Sequence, residues 1–141
     1  DKYFEAKRKG YQFYTYISPK ASCYDNVQIG ENCFIFEENT IQPFVVIGNN
    51  VTMWSGNHIG HHSVIGDHCF ITSHVVVSGG VKVGDYSFIG VNSTLRDHIT
   101  IGKECVIGAG SIMMHNTNDK DVYVPERTKL YKKKSDELEK L

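Results

Sequence analysis

Every sixth residue from Ile17 to Met113 is apolar, in the series Ile17, Cys23, Ile29, Ile35, Ile41, Ile47, Met53, Ile59, Ile65, Ile71, Val77, Val83, Ile89, Leu95, Ile101, Ile107 and Met113. No insertion breaks the run. Glycine follows many of these residues (Gly30, Gly48, Gly60, Gly66, Gly84, Gly90, Gly102, Gly108), and the fifth position of the hexad is Ala, Ser, Thr, Cys or Val except at Asn39, Asn57 and Ile99. A coiled coil needs a period of seven, and a sandwich needs turns at irregular spacing. A strict six reads instead as a repeat architecture. Positions five, six and one form a short strand pointing in, out and in, and positions two to four turn a corner, where the glycine is expected to supply unusual φ. Three hexads close a triangular coil, so residues 18 apart share a column. Coils stacked at strand spacing give a prism about 27 Å long, whose ends need caps.

The columns predict the inside and the outside. Cys33, Cys69 and Cys105 share one inward column two coils apart, roughly 9.6 Å by strand spacing. A disulfide needs Cα atoms within about 7 Å, so these are core thiols of a reducing compartment and not zinc ligands. Asn57 stacks over Asn39 as a buried amide ladder. One outward column reads Phe34, Thr52, Phe70, Phe88, Val106, an apolar stripe of the kind that self-association covers.

With 15 Lys and Arg against 16 Asp and Glu, the chain carries no footprint for nucleic acid or an anionic membrane. It has no run of about 20 apolar residues that could span a bilayer. We therefore expect a soluble, cytoplasmic protein without nucleic-acid or membrane partners. The first residue is Asp1, which suggests a piece of a longer product.

His58, His61, His62, His68 and His74 fall within one coil. His61 and His62 occupy a corner directly beneath Gly79 and Gly80, which predicts a notch floored by imidazole, with Asp97 and His98 one coil further on. An imidazole near neutral pH can take a proton from an attacking amine or hydroxyl. His68 and His74, on other corners, read as solvated.

The stretches Ile59-Gly60-His61-His62-Ser63-Val64-Ile65-Gly66-Asp67, Ser78-Gly79-Gly80-Val81-Lys82-Val83-Gly84 and Ile107-Gly108-Ala109-Gly110-Ser111 resemble the hexapeptide-repeat acyltransferases, in particular the C-terminal half of the sialic acid O-acetyltransferase and bacillosamine N-acetyltransferase group. The resemblance implies an all-β fold, a left-handed parallel β-helix over 17–118. A short N-terminal helix and linker (1–16, resembling the end of a preceding domain that binds nucleotide-sugar) and a C-terminal cap or polar tail (119–141) would flank it. It implies acetyl-CoA as cosubstrate, no metal, a small-molecule sugar acceptor, and a homotrimer with sites between subunits. By the same match His61 is the general base, with His62 the rival catalytic candidate. Gly79, Gly80, Val91 and Ala109 are expected on the coenzyme side and His58, Trp54 and Phe70 on the substrate side. Two positions depart from the family pattern: His62 stands where Asp or Glu often follows the catalytic His, and Phe70 replaces another recurrent His. Two other classes remain open. A γ-class carbonic anhydrase needs two histidines five residues apart, a pair this chain lacks, and a purely structural β-helix has no need of histidines beneath glycines.

Overall fold

The computed structural model describes residues 2–137; Asp1 and residues 138–141, the outer ends of the expected 1–16 and 119–141 segments, lie outside the described residues. The chain winds as a left-handed parallel β-helix of about six turns. Its first face is a seven-stranded parallel sheet of Tyr16–Ile17, Phe34–Ile35, Thr52–Met53, Phe70–Ile71, Phe88–Ile89, Val106–Ile107 and Val122–Tyr123. The second stacks Ser22–Cys23, Thr40–Ile41, His58–Ile59, Val76–Val77, Thr94–Leu95 and Ile112–Met113, and the third Gln28–Ile29, Val46–Ile47, Val64–Ile65, Lys82–Val83 and Thr100–Ile101. Pairing is in register at 18 residues, as in Phe70 with Phe88 and His58 with Val76. The last strand breaks it, because Val122 pairs with Val106; the closing coil is two residues short.

The period-six aliphatics fill the core. From Ile35 to Met113 the position-one residues are all buried, and Cys33, Cys69 and Cys105 lie among them as free thiols. Burial pushes the Cys69 thiol up to about 12, which leaves it protonated and unreactive. Asn39 and Asn57 form the expected buried ladder: Asn39 Oδ1 accepts from Asn57 N at 3.2 Å, and Asn57 Oδ1 from Val75 N at 2.8 Å.

Three expectations change. The positive φ falls at position four, in every sixth residue from Asn32 to Gly110, and not at the position-two glycines. Those glycines answer to close approach of coils: a Cβ on Gly60 would lie 2.5 Å from Gly79 N. Among the described residues, the prism is also capped at one end only. Residues 116–121 close the C-terminal end, where Asn116 Oδ1 and Asp119 Oδ1 accept from Thr100 N and Lys103 N, each at 2.8 Å, whereas Ile17 and Cys23 of the first coil stay exposed. The helix Lys2–Arg8 packs instead on the corner between the third and first faces, with the Tyr3 and Phe4 rings each 5.2 Å from His68. His68 is accordingly a packing residue: it stacks on Tyr86 at 4.5 Å, and its Nδ1 meets Asn50 Nδ2 at 2.8 Å. His74 is exposed as expected. No helix among the described residues is long and apolar enough to cross a membrane.

Candidate functional site

The histidine corner joins the second and third faces. His61 sits at position three and His62 at position four, the latter with φ of 58°. Gln42, one coil below, fixes the His61 backbone by accepting its N–H at 3.0 Å. The Phe44 ring lies 4.8 Å from the His62 ring. The two imidazoles meet edge to face, with centroids 5.2 Å apart and Nδ1 to Nδ1 at 3.0 Å.

The notch read above this pair is filled by the His61 ring. A Cβ on Gly79 would lie 2.8 Å from His61 Nε2, so the absent side chain makes room for the imidazole and leaves its Nε2 against bare backbone. Gly80 is covered from the other side, where a Cβ would come 2.5 Å from His98 Nδ1. The same cover occurs at Gly56 beneath His74, so an imidazole over a glycine is partly a packing device of this fold. His61 differs from both in having a second imidazole on its Nδ1. Asp97, one coil above Gly79, lies 3.7 Å from Arg96 Nε and 4.0 Å from His98 Nε2.

The remaining expected residues gather elsewhere. Trp54, Val91 and Ala109 belong to the corner between the first and second faces, a third of a coil from His61. There Trp54, Phe70, Thr72, Ser73 and Val91 line a shallow apolar pocket of about 310 Å³, with Trp54 and Phe70 6.2 Å apart. His58 points outward on the second face, between the two corners. Within one chain the structure thus brings Trp54, Phe70 and Val91 together, and His61, His62, Gly79 and Gly80 together, but does not join the two groups. Gln42, Phe44, Thr72 and Ser73 were not singled out from the sequence. The 18-residue columns place Phe44 beneath His62 and Thr72 and Ser73 above Trp54 and Ser55, so the signal was there.

The sequence matches the bacterial transferase hexapeptide (six repeats) family over residues 26–61, 44–79 and 80–115. No curated protein matches it. Among solved structures it is similar to PerB from Caulobacter crescentus in complex with CoA and GDP-perosamine (25% identity, TM-score 0.83, 84% of this chain and 57% of that chain). The acetyltransferase domain of PglB from Neisseria gonorrhoeae FA1090 in complex with acetyl coenzyme A shares the fold at 21% identity (TM-score 0.82, 85% of this chain and 58% of that one). WeeI from Acinetobacter baumannii AYE does so at 19% (TM-score 0.56, 87% and 60%). The chain therefore spans somewhat over half the length of these structures. Repeats matched from residue 26 to residue 115, wound into the coils that such repeats build, place the chain in the bacterial transferase hexapeptide family.

Proposed function

We propose that this chain carries the acetyl-transfer site of an acetyl-CoA-dependent sugar acetyltransferase, with a nucleotide-linked amino sugar as acceptor and His61 as general base. The observation that carries the reading is the His61 ring against Gly79, with Nε2 directed at backbone that no side chain covers. PerB, solved with CoA and GDP-perosamine, supports the choice of both substrates. A sugar hydroxyl would react by the same geometry.

In this reading the acceptor nitrogen attacks the thioester carbonyl carbon. The C–N bond forms as the C–S bond breaks, His61 Nε2 takes the proton from nitrogen, and that proton then passes to the departing thiolate. The protein's main contribution is to hold two reactants together, with general-base catalysis adding about 10²–10⁴-fold. The apolar wall of Trp54, Phe70 and Val91 suits the methylene and gem-dimethyl parts of the pantetheine arm, which moves Trp54 and Phe70 from the expected substrate side to the coenzyme side. Because that wall and His61 occupy different corners, the complete site is formed between chains of a homotrimer, the first–second corner of one facing the histidine corner of the next. Isothermal calorimetry with acetyl-CoA, then mass spectrometry of products from a panel of nucleotide-linked amino sugars, tests the reading. Absence of coenzyme binding overturns it.

A further inference from the structure

We infer that His62 is the positioning residue of the site, fixing the tautomer of His61 through a neutral imidazole–imidazole hydrogen bond. The inference rests on the reading of His61 as base, and deepens it. Two Nδ1 atoms 3.0 Å apart share a single proton, because a neutral imidazole has one donor and one acceptor nitrogen. If His62 held that proton, His61 would spend its only lone pair on His62 and keep a hydrogen on Nε2, the atom facing Gly79. If His61 holds it, its Nε2 lone pair faces Gly79. Only the second arrangement lets His61 gain and lose a proton at Nε2 while the Nδ1 hydrogen bond persists, since imidazolium keeps both of its N–H groups.

The surroundings hold His62 for this task. Its left-handed backbone brings its ring back toward His61, and Phe44 backs that ring at 4.8 Å. Gln42 locks the His61 main chain. Among the described residues no carboxylate is hydrogen-bonded to either imidazole. The charged or titratable groups of this corner and of the outward columns beside it are Tyr24 and Asp25 two coils below, Arg96, Asp97 and His98 two coils above, His115 three coils above, and His58 and Lys82 alongside. The usual second member of such a pair is an anion that stabilises imidazolium; here it is a second imidazole.

Position four tolerates the substitutions that test this. It holds Phe at Phe44, Tyr at Tyr86 and Asn at Asn32, Asn50 and Asn92, all with φ between 56° and 64°. His62→Phe keeps a ring on Phe44 and removes the acceptor. His62→Asn retains an acceptor, and His62→Asp supplies an anionic one. ¹⁵N NMR of histidine-labelled protein should show His61 protonated at Nδ1 and His62 at Nε2 in the wild type, with the His61 preference lost in His62→Phe. That variant should lose at least about tenfold in kcat, as expected for an imidazole in the wrong tautomer, with the KM for acetyl-CoA unchanged. His62→Asn should recover most of the rate. His62→Asp should move the acidic limb of the kcat/KM profile to higher pH, because a nearby anion favours imidazolium. Wild-type His61 protonated at Nε2, or a His62→Phe variant with unchanged tautomer and kcat, would overturn the inference. The two readings fail separately. An active His61→Ala enzyme with the Nδ1–H tautomer intact in the wild type removes the base and leaves the pair, whereas an inactive His61→Ala beside a fully active His62→Phe does the reverse.

Discussion

Gly60 and Gly56 show how one residue type serves two ends in this fold. A Cβ on Gly60 would strike the main chain of the next coil, 2.5 Å from Gly79 N and 2.6 Å from Ser78 C. Main chain cannot rotate away, so Gly60→Ala must separate two coils of a close-packed core, at a cost of about 1–3 kcal/mol as for other overpacking changes. Gly56 has φ of +74°, and a Cβ there would meet the ring of His74, which can turn aside. Since non-glycine residues hold the same position with positive φ in other coils, Gly56→Ala should cost about 1 kcal/mol, the ordinary penalty for Ala at such φ. Thermal melting should therefore rank Gly60→Ala well below Gly56→Ala, and the reverse order would show that backbone conformation outweighs coil contact. The period revealed a preference for glycine but not its cause. The place of the left-handed φ was legible instead, at position four, where Asn32, Asn50, Asn92, His62, His68, His74 and His98 are of the types most tolerant of it. A second buried device is open to the same test. Asn57→Val strands Val75 N–H, which donates to Asn57 Oδ1, whereas the Trp54 carbonyl keeps its bond from Asn39 Nδ2 at 2.8 Å. The stranded group costs about 1–3 kcal/mol, which the urea midpoint will report.

The helix Lys2–Arg8 is tied to the prism by one buried ring and one carboxylate. Tyr3 is 6% exposed and stacks on Phe13 at 4.9 Å; its hydroxyl donates to Glu31, and Lys7 pairs with the same carboxylate. The Lys7 hydrogen bond, followed by that from Tyr3, holds Glu31 below the usual carboxylate range. A folded-state value below the unfolded one gives stability that is complete above the ordinary Glu pKa of about 4.3 and lost as pH falls through the depressed value. Helix docking should thus weaken on acidification below about pH 4. Amide exchange over residues 5–9, corrected for intrinsic rates, should show protection falling there, while Glu31→Gln should be less protected at neutral pH and insensitive to acid. Equal protection in both proteins would mean that packing on His68 suffices. A helix near the N-terminus was expected from resemblance alone, and its docking place was not legible. Seven residues carry too little pattern to show which face they bury, and His68 looks solvated until the ring stack on it is known.

At the scale of the molecule, an aromatic ribbon climbs the first face. Tyr16 to Phe34, Phe34 to Phe36, Phe36 to Trp54, Trp54 to Phe70 and Phe70 to Phe88 are successive ring neighbours at 4.8, 4.8, 6.1, 6.2 and 5.8 Å. Monomers seldom expose so continuous an apolar surface. The Phe column within it follows from the period, but the link through Phe36 and Trp54 crosses columns and needs side-chain positions. A ring of three copies would cover the ribbon by heterologous contact, one patch meeting a different patch of the next chain. Phe70→Asp would then bury an unpaired charge in the contact, and light scattering at micromolar concentration should change from a trimeric to a monomeric mass. A sharper test uses the separation of the two corners. His61→Ala lacks the base but keeps the Trp54–Val91 wall, whereas Val91→Arg spoils the wall and keeps the base; each homotrimer should be inactive. Where a site takes His61 from one chain and Val91 from its neighbour, random exchange in an equal mixture restores both halves in about one quarter of sites. Activity should rise toward that fraction as subunits exchange. If each site instead lies across the second face of a single chain, every site carries one lesion or the other, and mixing restores nothing.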